Sequence, residues 1–395
     1  MVAKNSAVES TQGIRTIHFL QPVSGGTPTV VLELVTAEVA AGYSVMIAAP
    51  KDLRDRAETT GATFNPLSLR RSPGPSDLVA IVRIRRLLKT ADVVIFHSSK
   101  AMMAGKIALR SISQKRRPKS IAIPHSWSWN VGGLFKILYV RLEKWTRDWV
   151  DIVVCVSEHE RDQGLRILGK FPNVVIRNAV DTDYFRPSSS NLKSERCRLL
   201  LVGRLCEQKG QDFMVPLMVA LDDSMLALLG DGPSRDQLES MTQELNLGER
   251  VAFLGEGDVR SQYAAADIVV MPSRWEGMSL VLLEAMACGL PVVASPDASG
   301  DFDESNGVVT AGLTEEDFRN ELRDLIDHQD RRAELGRRAR STAEAVLGLK
   351  VRNDAWLSLI HNLNSPQEVE PHRENIGDAP AGHSASLRAR ARDVS

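Results

Sequence analysis

Residues 14–20 run IRTIHFL, an apolar stretch followed by turn chemistry at 21–27, where Gly25 and Gly26 sit. Such a stretch predicts a buried strand. Over 28–41 apolar residues recur at helical spacing, and Gly42 closes the run. YSVMIAA at 43–49 predicts a second strand, so the unit is strand, loop, helix, strand with a right-handed crossover. The alternation continues through strands at 92–96, 120–124, 152–156 and 174–176, with helices among them at 75–89 and 100–112. Alternation of this kind predicts a parallel sheet covered by helices on both faces.

Residues 186–196 (RPSSSNLKSER) break the pattern: they are polar, Ser-rich and contain Pro187. A second series then begins, with strands at 198–202, 225–229, 251–254, 268–272 and 291–294 and helices between them. Helical spacing over 315–347, with room for a break inside, closes this series; Gly348 interrupts it, and 349–363 predicts a last helix. The fold class is therefore α/β, with two Rossmann-like doubly wound domains over 14–186 and 197–347. Residues 364–395 are polar and without periodicity, which predicts a disordered tail.

Composition narrows the class. The 395 residues are 43% hydrophobic and 25% charged, ordinary for a globular chain, which excludes a wholly disordered, collagen-like or disulfide-scaffold protein. Aromatics make up only 5%, so the cores must be mostly aliphatic. A net charge of −1 conceals an asymmetry: residues 1–190 hold 27 Lys/Arg against 16 Asp/Glu, and residues 191–395 hold 22 against 34. A basic half implies an anionic ligand or surface. Cys155, Cys197, Cys206 and Cys288 fit no zinc or C-x-x-C spacing and are expected to be reduced thiols. The polar start, 1–13, lacks the apolar segment of a secretory signal, and no long uncharged apolar window predicts a spanning helix. A cytoplasmic protein is expected.

Four short segments carry candidate chemistry. Gly203-Arg204-Leu205, with Lys209-Gly210 following, lies just after the strand at 198–202. A glycine there lets a ligand approach the backbone, and Arg204 and Lys209 offer two cations to a diphosphate. On those residues alone a plain turn with solvated basic side chains fits equally well. Gly230-Asp231-Gly232-Pro233 makes a tight turn into a helix, structural in itself but placed at a strand's carboxyl end, where open α/β sheets bind ligands. The run from Glu276 to Gly289, EGMSLVLLEAMACG, puts Glu276 in a loop and Glu284 in a helix. Amides around Met278, Ser279 and Leu280 open that helix toward an anion, aided by its dipole. A carboxylate at Glu284 suits a ribose diol, and one at Glu276 suits sugar hydroxyls; as alternatives, both are solvated or cap helix ends. His125, in Pro124-His125-Ser126-Trp127, ends a strand and either faces a cleft or is structural.

Together these residues carry a resemblance. The run from Leu199 to Ala294 resembles the retaining glycosyltransferases of family 4, which have the GT-B fold. The matching residues are Gly203–Gly210, Gly230–Pro233, and the Glu276/Glu284 pair inside EGMSLVLLEAMACGLPVVAS. The first half is similar to the family's acceptor domain at Gly25-Gly26, His125, Ser157, and Asn178-Ala179-Val180-Asp181 with Phe185. The resemblance implies two facing Rossmann-like domains around a cleft, with a last helix, here 349–363, crossing back to the first. It implies that Arg204 and Lys209 bind the diphosphate and stabilise the leaving nucleotide, and that Glu284 holds the ribose. Glu276 would contact the donor sugar, and Gly277, Met278, Ser279 and Leu280 would line the donor site. His125 would hydrogen-bond the donor sugar from the opposite domain, and Gly25 and Gly26 would form the loop near diphosphate and acceptor. No cofactor or metal is expected, since the two cations and a helix N-terminus meet the charge that develops on the diphosphate. Where the family often has a Gly-Gly pair and a Glu, this chain reads SPDASGDFDE over 295–304.

Two Asp-x-Asp runs, Asp181-Thr182-Asp183 and Asp301-Phe302-Asp303, would suit a metal-dependent transferase of the other major fold, but neither is placed for it. A nucleotide-sugar epimerase is disfavoured by Glu276 and Glu284 beside Arg204 and Lys209. A phosphorylase lacks its longer chain and pyridoxal lysine. A catalytically inactive nucleotide-sugar-binding subunit would not need His125 and Glu276.

The expected partners are a nucleotide-sugar donor and a hydroxyl acceptor. Basic clusters mark the first half: Arg83, Arg85 and Arg86; Lys115, Arg116, Arg117 and Lys119; Lys136, Arg141, Lys144 and Arg147. The last is interleaved with Leu134, Phe135, Ile137, Leu138, Tyr139, Leu142, Trp145 and Trp149. Two readings fit, a packed helix with a solvated face and a basic amphipathic helix on anionic lipid. The second would place the protein at the inner face of the membrane, with a lipid-linked acceptor such as a growing envelope or capsular saccharide. No nucleic-acid motif accompanies the charge, so no nucleic-acid partner is expected.

Overall fold

The computed structural model describes residues 13–69, 74, 76–131, 136–188 and 196–365. In the first half lie β1 (Arg15–Leu20), β2 (Ser44–Ala49), β3 (Thr63–Pro66), β4 (Val93–His97), β5 (Lys119–Ile123), β6 (Ile152–Cys155) and β7 (Asn173–Val175). They form one sheet in the order β3-β2-β1-β4-β5-β6-β7, every pair parallel. The second half contributes β8 (Cys197–Val202), β9 (Ser224–Leu229), β10 (Val251–Gly255), β11 (Ile268–Met271), β12 (Val292–Ala294) and β13 (Val308–Thr310). Their order is β10-β9-β8-β11-β12-β13, again all parallel.

Helices alternate with the strands. The first sheet is wrapped by α1 (Gly26–Ala40), α2 (Arg54–Glu58), α3 (Ser76–Leu87), α4 (Ser99–Arg110), α5 (Lys136–Thr146) and α6 (Glu158–Leu168). The second carries α7 (Gln211–Leu217), α8 (Arg235–Glu244), α9 (Val259–Ala265), α10 (Leu280–Ala287), α11 (Pro296–Ser299), α12 (Glu315–Asp327) and α13 (Gln329–Val346). Last comes α14 (Leu349–Asn364). Burial explains the strand composition: β4 (VVIFH) is buried at every position, as a central parallel strand covered on both faces should be.

The structure departs from expectation in a few places. β3, with α2 before it, and β13 carry no clear sequence signal. β3 is a half-buried edge strand ending in Pro66, so it shows neither alternation nor a full apolar run. β13 is a three-residue strand at the opposite kind of edge. The helix expected from 28 begins at Gly26, leaving Gly25, at φ 86°, as the turn before it. The long helix over 315–347 breaks at His328, whose ψ of 87° is not helical. The expected tail from 366 onward lies outside the described residues, as do Pro75, Leu134, Phe135 and residues 189–195 of the Ser-rich break.

An apolar cluster runs through both halves, joining Val31 and Leu34 of α1 to Leu283 and Met286 of α10 and to Trp356 and Ile360 of α14. Both sheets belong to one compact unit that ends at Asn364. α14 returns to the first sheet, where Arg352 donates to Glu33 at 2.6 Å and the Trp356 indole donates to Glu38 at 2.7 Å. No helix among the described residues is long and apolar enough to cross a membrane.

Candidate active site

The order of each sheet reverses between a central pair, β1/β4 in the first and β8/β11 in the second. Loops at the carboxyl ends of such pairs border the ligand crevice of open α/β sheets. In the second sheet these loops are locked together. Gly230, at φ 139°, comes so close to the chain that an added Cβ would lie 2.2 Å from Gly203 O. A Cβ on Gly232 would lie 2.3 Å from Leu205 O, and Leu205 N donates to Asp231 O at 3.0 Å. The two glycines of the GDGP segment therefore let the β9 loop support the β8 loop. Arg274 of the β11 loop makes a bidentate pair with Asp212 in the first turn of α7 at 2.9 and 2.8 Å, while Gln208 of the β8 loop donates to Trp275 O.

On this scaffold the Lys209 ammonium meets Glu276 Oε1 at 2.5 Å. Two residues expected in separate roles thus form an ion pair. Arg204 stands exposed on the same loop as Lys209 and joins no ion pair among the described residues.

The loop after Glu276 is one place where the two halves touch. A Cβ on Gly277 would lie 2.9 Å from Ser126 N and 3.0 Å from His125 C, so only glycine permits the approach. Ser157 Oγ donates to Gly277 O at 3.3 Å, and the Asn178 amide donates to Met278 O at 2.8 Å. Across the cleft, a Cβ on Gly26 would touch Leu280 Cδ1 at 3.5 Å. The structure therefore brings Gly26, His125, Ser157, Asn178, Glu276, Gly277, Met278 and Leu280 to one place. The N-termini of α1 and α10 converge there; Gly25 has no side chain to cap α1, and the Ser279 side chain makes no cap bond to α10.

His125 sits in a strained turn, with φ 52° at His125 and 96° at Ser126. Glu160 holds that turn, accepting from Ser126 N at 2.6 Å and Val156 N at 2.8 Å. Burial pushes the Glu160 carboxyl up to about 7, against those two backbone donors. Burial also takes His125 down to about 4, so its imidazole is neutral near pH 7. Glu284 faces Tyr263, whose hydroxyl donates to Oε2 at 2.9 Å; burial nevertheless raises this carboxyl to about 7.

Glu160 and Tyr263 are not among the residues that the sequence marks for the site. Glu160 had a signal: Ser157-x-x-Glu160 spells a capping box, and Ser157 Oγ does accept from Glu160 N at 3.0 Å. Tyr263 had none, since it lies one helix and one strand before the residue it serves. Three of the four Asp-x-Asp carboxylates bond to the chain itself, those of Asp181 and Asp303 locally and that of Asp301 across the two halves. Asp301 accepts from Glu158 N, His159 N and Arg177, and Asp303 caps the short turn at Glu304–Asn306. Asp181 accepts from Asp183 N and Tyr184 N.

Comparison with known proteins agrees with this architecture. The family model described as Glycosyltransferase Family 4 matches residues 24–184, and that described as Glycosyl transferases group 1 matches 185–342. The GDP-mannose-dependent alpha-(1-6)-phosphatidylinositol monomannoside mannosyltransferase of Mycobacterium tuberculosis is 26% identical over 302 residues, 69% of this chain and 76% of that protein. The UDP-Gal:alpha-D-GlcNAc-diphosphoundecaprenol alpha-1,3-galactosyltransferase of Escherichia coli is 28% identical over 266 residues, 60% of this chain and 67% of that one. Among solved structures, sucrose-phosphate synthase from Thermosynechococcus elongatus superposes with a TM-score of 0.76 at 20% identity, covering 89% of this chain and 99% of that one. HepE of Anabaena, solved with UDP-glucose, gives 0.76 at 18% identity, covering 88% and 100%. With one model on each sheet-bearing half and the same two-sheet architecture in its structural neighbours, the chain is a glycosyltransferase of family 4 and has the GT-B fold.

Proposed function

We propose that this glycosyltransferase moves a sugar from a nucleotide-sugar to a hydroxyl group, with retention of anomeric configuration and without a metal ion. The observation that carries the reading is the Glu276–Met278 loop, which joins the Lys209–Glu276 pair to the backbone beside His125. As the bond between sugar and diphosphate breaks, negative charge grows on the diphosphate. Arg204, Lys209 and the amides that open α10 stabilise that charge as it forms. Glu276 orients the donor sugar, Glu284 receives the ribose hydroxyls, and Gly25 and Gly26 let the diphosphate approach α1. His125 meets the donor sugar from the opposite side. In front-face attack the leaving phosphate takes the acceptor's proton, so no protein base is assigned.

The acceptor that we propose is lipid-linked, the class named in the two relatives above. Helices α3, α4 and α5 lie side by side, with α4 and α5 joined by the buried pair Lys106–Glu143 at 2.8 Å. Large apolar side chains stand exposed on them, among them Leu78 at 70%, Ile137 at 67% and Trp145 at 67%. Exposed Arg83, Arg85, Arg86, Lys136, Arg141 and Lys144 accompany these. Such a face suits an anionic bilayer surface.

The test is nucleotide diphosphate release from a panel holding GDP-mannose, UDP-galactose and UDP-glucose, in EDTA, with and without a crude lipid-linked acceptor extract. Release from one donor, increased by the extract and lost in Glu276→Ala and Arg204→Ala, supports the reading. An EDTA-sensitive reaction overturns its metal-free part, and an inverted anomeric signal in the product overturns retention. Binding without release from any donor favours an inactive binding subunit.

A further inference from the structure

Three imidazoles run in line from the site into the first sheet. His125 Nε2 lies 3.0 Å from His97 Nδ1, His97 Nε2 lies 3.0 Å from His18 Nδ1, and His18 Nε2 lies 2.9 Å from Glu38 Oε1. Neighbouring rings lie near-parallel and end to end, with centroids 5.3 and 5.2 Å apart. His97 from β4, His18 from β1 and Glu38 from α1 are all completely buried. Buried polar groups on this scale need a reason, because each must be satisfied at every atom.

The buried end sets the direction of the chain. The Trp356 indole N–H, which can only donate, lies 2.7 Å from Glu38 Oε1, and the Thr16 hydroxyl donates to Oε2 at 2.5 Å. Glu38 is thereby an acceptor at both oxygens, so His18 carries its proton on Nε2. A neutral imidazole has one donor and one acceptor nitrogen. His18 Nδ1 therefore accepts from His97 Nε2–H, and His97 Nδ1 accepts from His125 Nε2–H. What remains is the lone pair on His125 Nδ1. That atom has no partner among the described residues and is not one of their buried unsatisfied atoms. Burial keeps His97 and His125 below their ordinary value, in agreement with neutral rings.

We propose that Glu38, His18 and His97 are positioning residues that fix the polarity of His125, so that its Nδ1 meets the donor sugar only as a hydrogen-bond acceptor. This rests on the donor-sugar reading above. The group accepted at that place is a hydroxyl. A carboxylate there, as on a uronic acid, is refused because lone pairs would face each other without a proton between them. The arrangement also suits the reaction. Positive charge grows on the sugar as its bond to the diphosphate breaks, and it meets a nitrogen lone pair backed by a carboxylate through two further rings.

Spectra of the full chain with 15N-labelled histidine decide the polarity without any ligand. The chain has eight histidines, few enough to assign with single substitutions. In the wild type His125 should carry its proton on Nε2 alone near pH 7. Glu38→Gln keeps an acceptor oxygen and should keep that pattern. Glu38→Met removes the acceptor, and His125 should then populate both tautomers. His97→Phe keeps a ring in that place but cuts the chain elsewhere, and serves if Glu38→Met does not fold. A proton on His125 Nδ1 in the wild type, or a pattern unchanged in both cut variants, overturns the proposal. With the donor found by the panel, the preference in kcat/KM for that sugar over its uronate counterpart should fall about tenfold in the cut variants and hold in Glu38→Gln. Should the panel find no donor, the spectra still judge the polarity; should the spectra fail while the panel succeeds, the relay falls and the donor reading stands.

Discussion

The Lys209 ammonium and Glu276 Oε1 lie 2.5 Å apart, with side chains only 17% and 9% exposed. The stem of Lys209 crosses Gly203, where an added Cβ would sit 3.1 Å from Lys209 Cε. A cation expected for the diphosphate and a carboxylate expected for the sugar therefore hold each other in place before any ligand arrives. Diphosphate and sugar hydroxyls would each engage one member of this pair.

Arg204 and Lys209 should separate in their effects. Arg204 is exposed and outside any ion pair among the described residues, so Arg204→Ala should leave the melting temperature unchanged while lowering turnover about 100-fold. Lys209→Ala should lower both, because it leaves the buried Glu276 carboxylate without its partner. Thermal melts beside nucleotide-release rates check the split. Equal loss of stability in both variants would remove the distinction.

Two glycines at the cleft should differ in kind. Gly277→Ala places a methyl 2.9 Å from Ser126 N and 3.0 Å from His125 C. The loop must shift, at about 1–3 kcal/mol, and turnover should fall as the His125 turn moves. Gly26→Ala meets Leu280 Cδ1 at 3.5 Å, an ordinary contact, in the first residue of α1. Its stability should stay within about 1 kcal/mol of wild type, measured by urea unfolding.

Glu284 should impose a pH signature. Its carboxyl is raised from 4.5 to about 7 by burial, so between those values the folded chain binds a proton that the unfolded chain has lost. This group's contribution to stability therefore falls as pH rises from 4.5 to 7. Glu284→Gln should gain stability relative to wild type across that window and level off above it. The difference between the two chains cancels Glu160, which acts in the same direction, and His125, which acts in the opposite one. Only the ionised carboxylate accepts fully from a ribose diol, so UDP or GDP should bind more tightly as pH rises through about 7. Tyr263→Phe removes a hydrogen bond that favours the ionised form and should move that step upward. Calorimetric titration at several pH values reads both effects.

The exposed face of α5 should govern attachment to lipid. Ile137→Glu with Trp145→Glu replaces two side chains that are each 67% exposed, so folding should be unaffected. Sedimentation with phosphatidylglycerol vesicles should drop about tenfold or more, and wild-type binding should weaken with added salt. Binding that is indifferent to both changes would leave α5 as a packed helix with a solvated face.

Local pattern carried much of the fold. Buried parallel strands such as β1 and β4 are short apolar runs, and helices such as α1 and α14 are bounded by Gly42 and Gly348, so each element declares itself over a few adjacent residues. β3 did not, because it is an edge strand covered only in part and loses the apolar signal that full burial imposes, and β13 did not, because its buried run of two valines is too short to mark a strand. Segments such as Gly203–Gly210 and Glu276–Glu284 were likewise legible, since a loop that a ligand approaches must spell its glycines, cations and carboxylates contiguously. Tertiary structure alone decided what those loops touch. The closeness of Lys209 to Glu276 joins residues 67 positions apart, and Gly277 meets Ser126 across the cleft between the two halves. The line from His125 through His97 and His18 to Glu38 draws on three strands or their ends and one helix, with Trp356 reaching in from the last helix. No periodicity encodes such a line, because its members are set side by side by strand order and by the return of α14, and hydrogen-bond polarity exists only once they are neighbours.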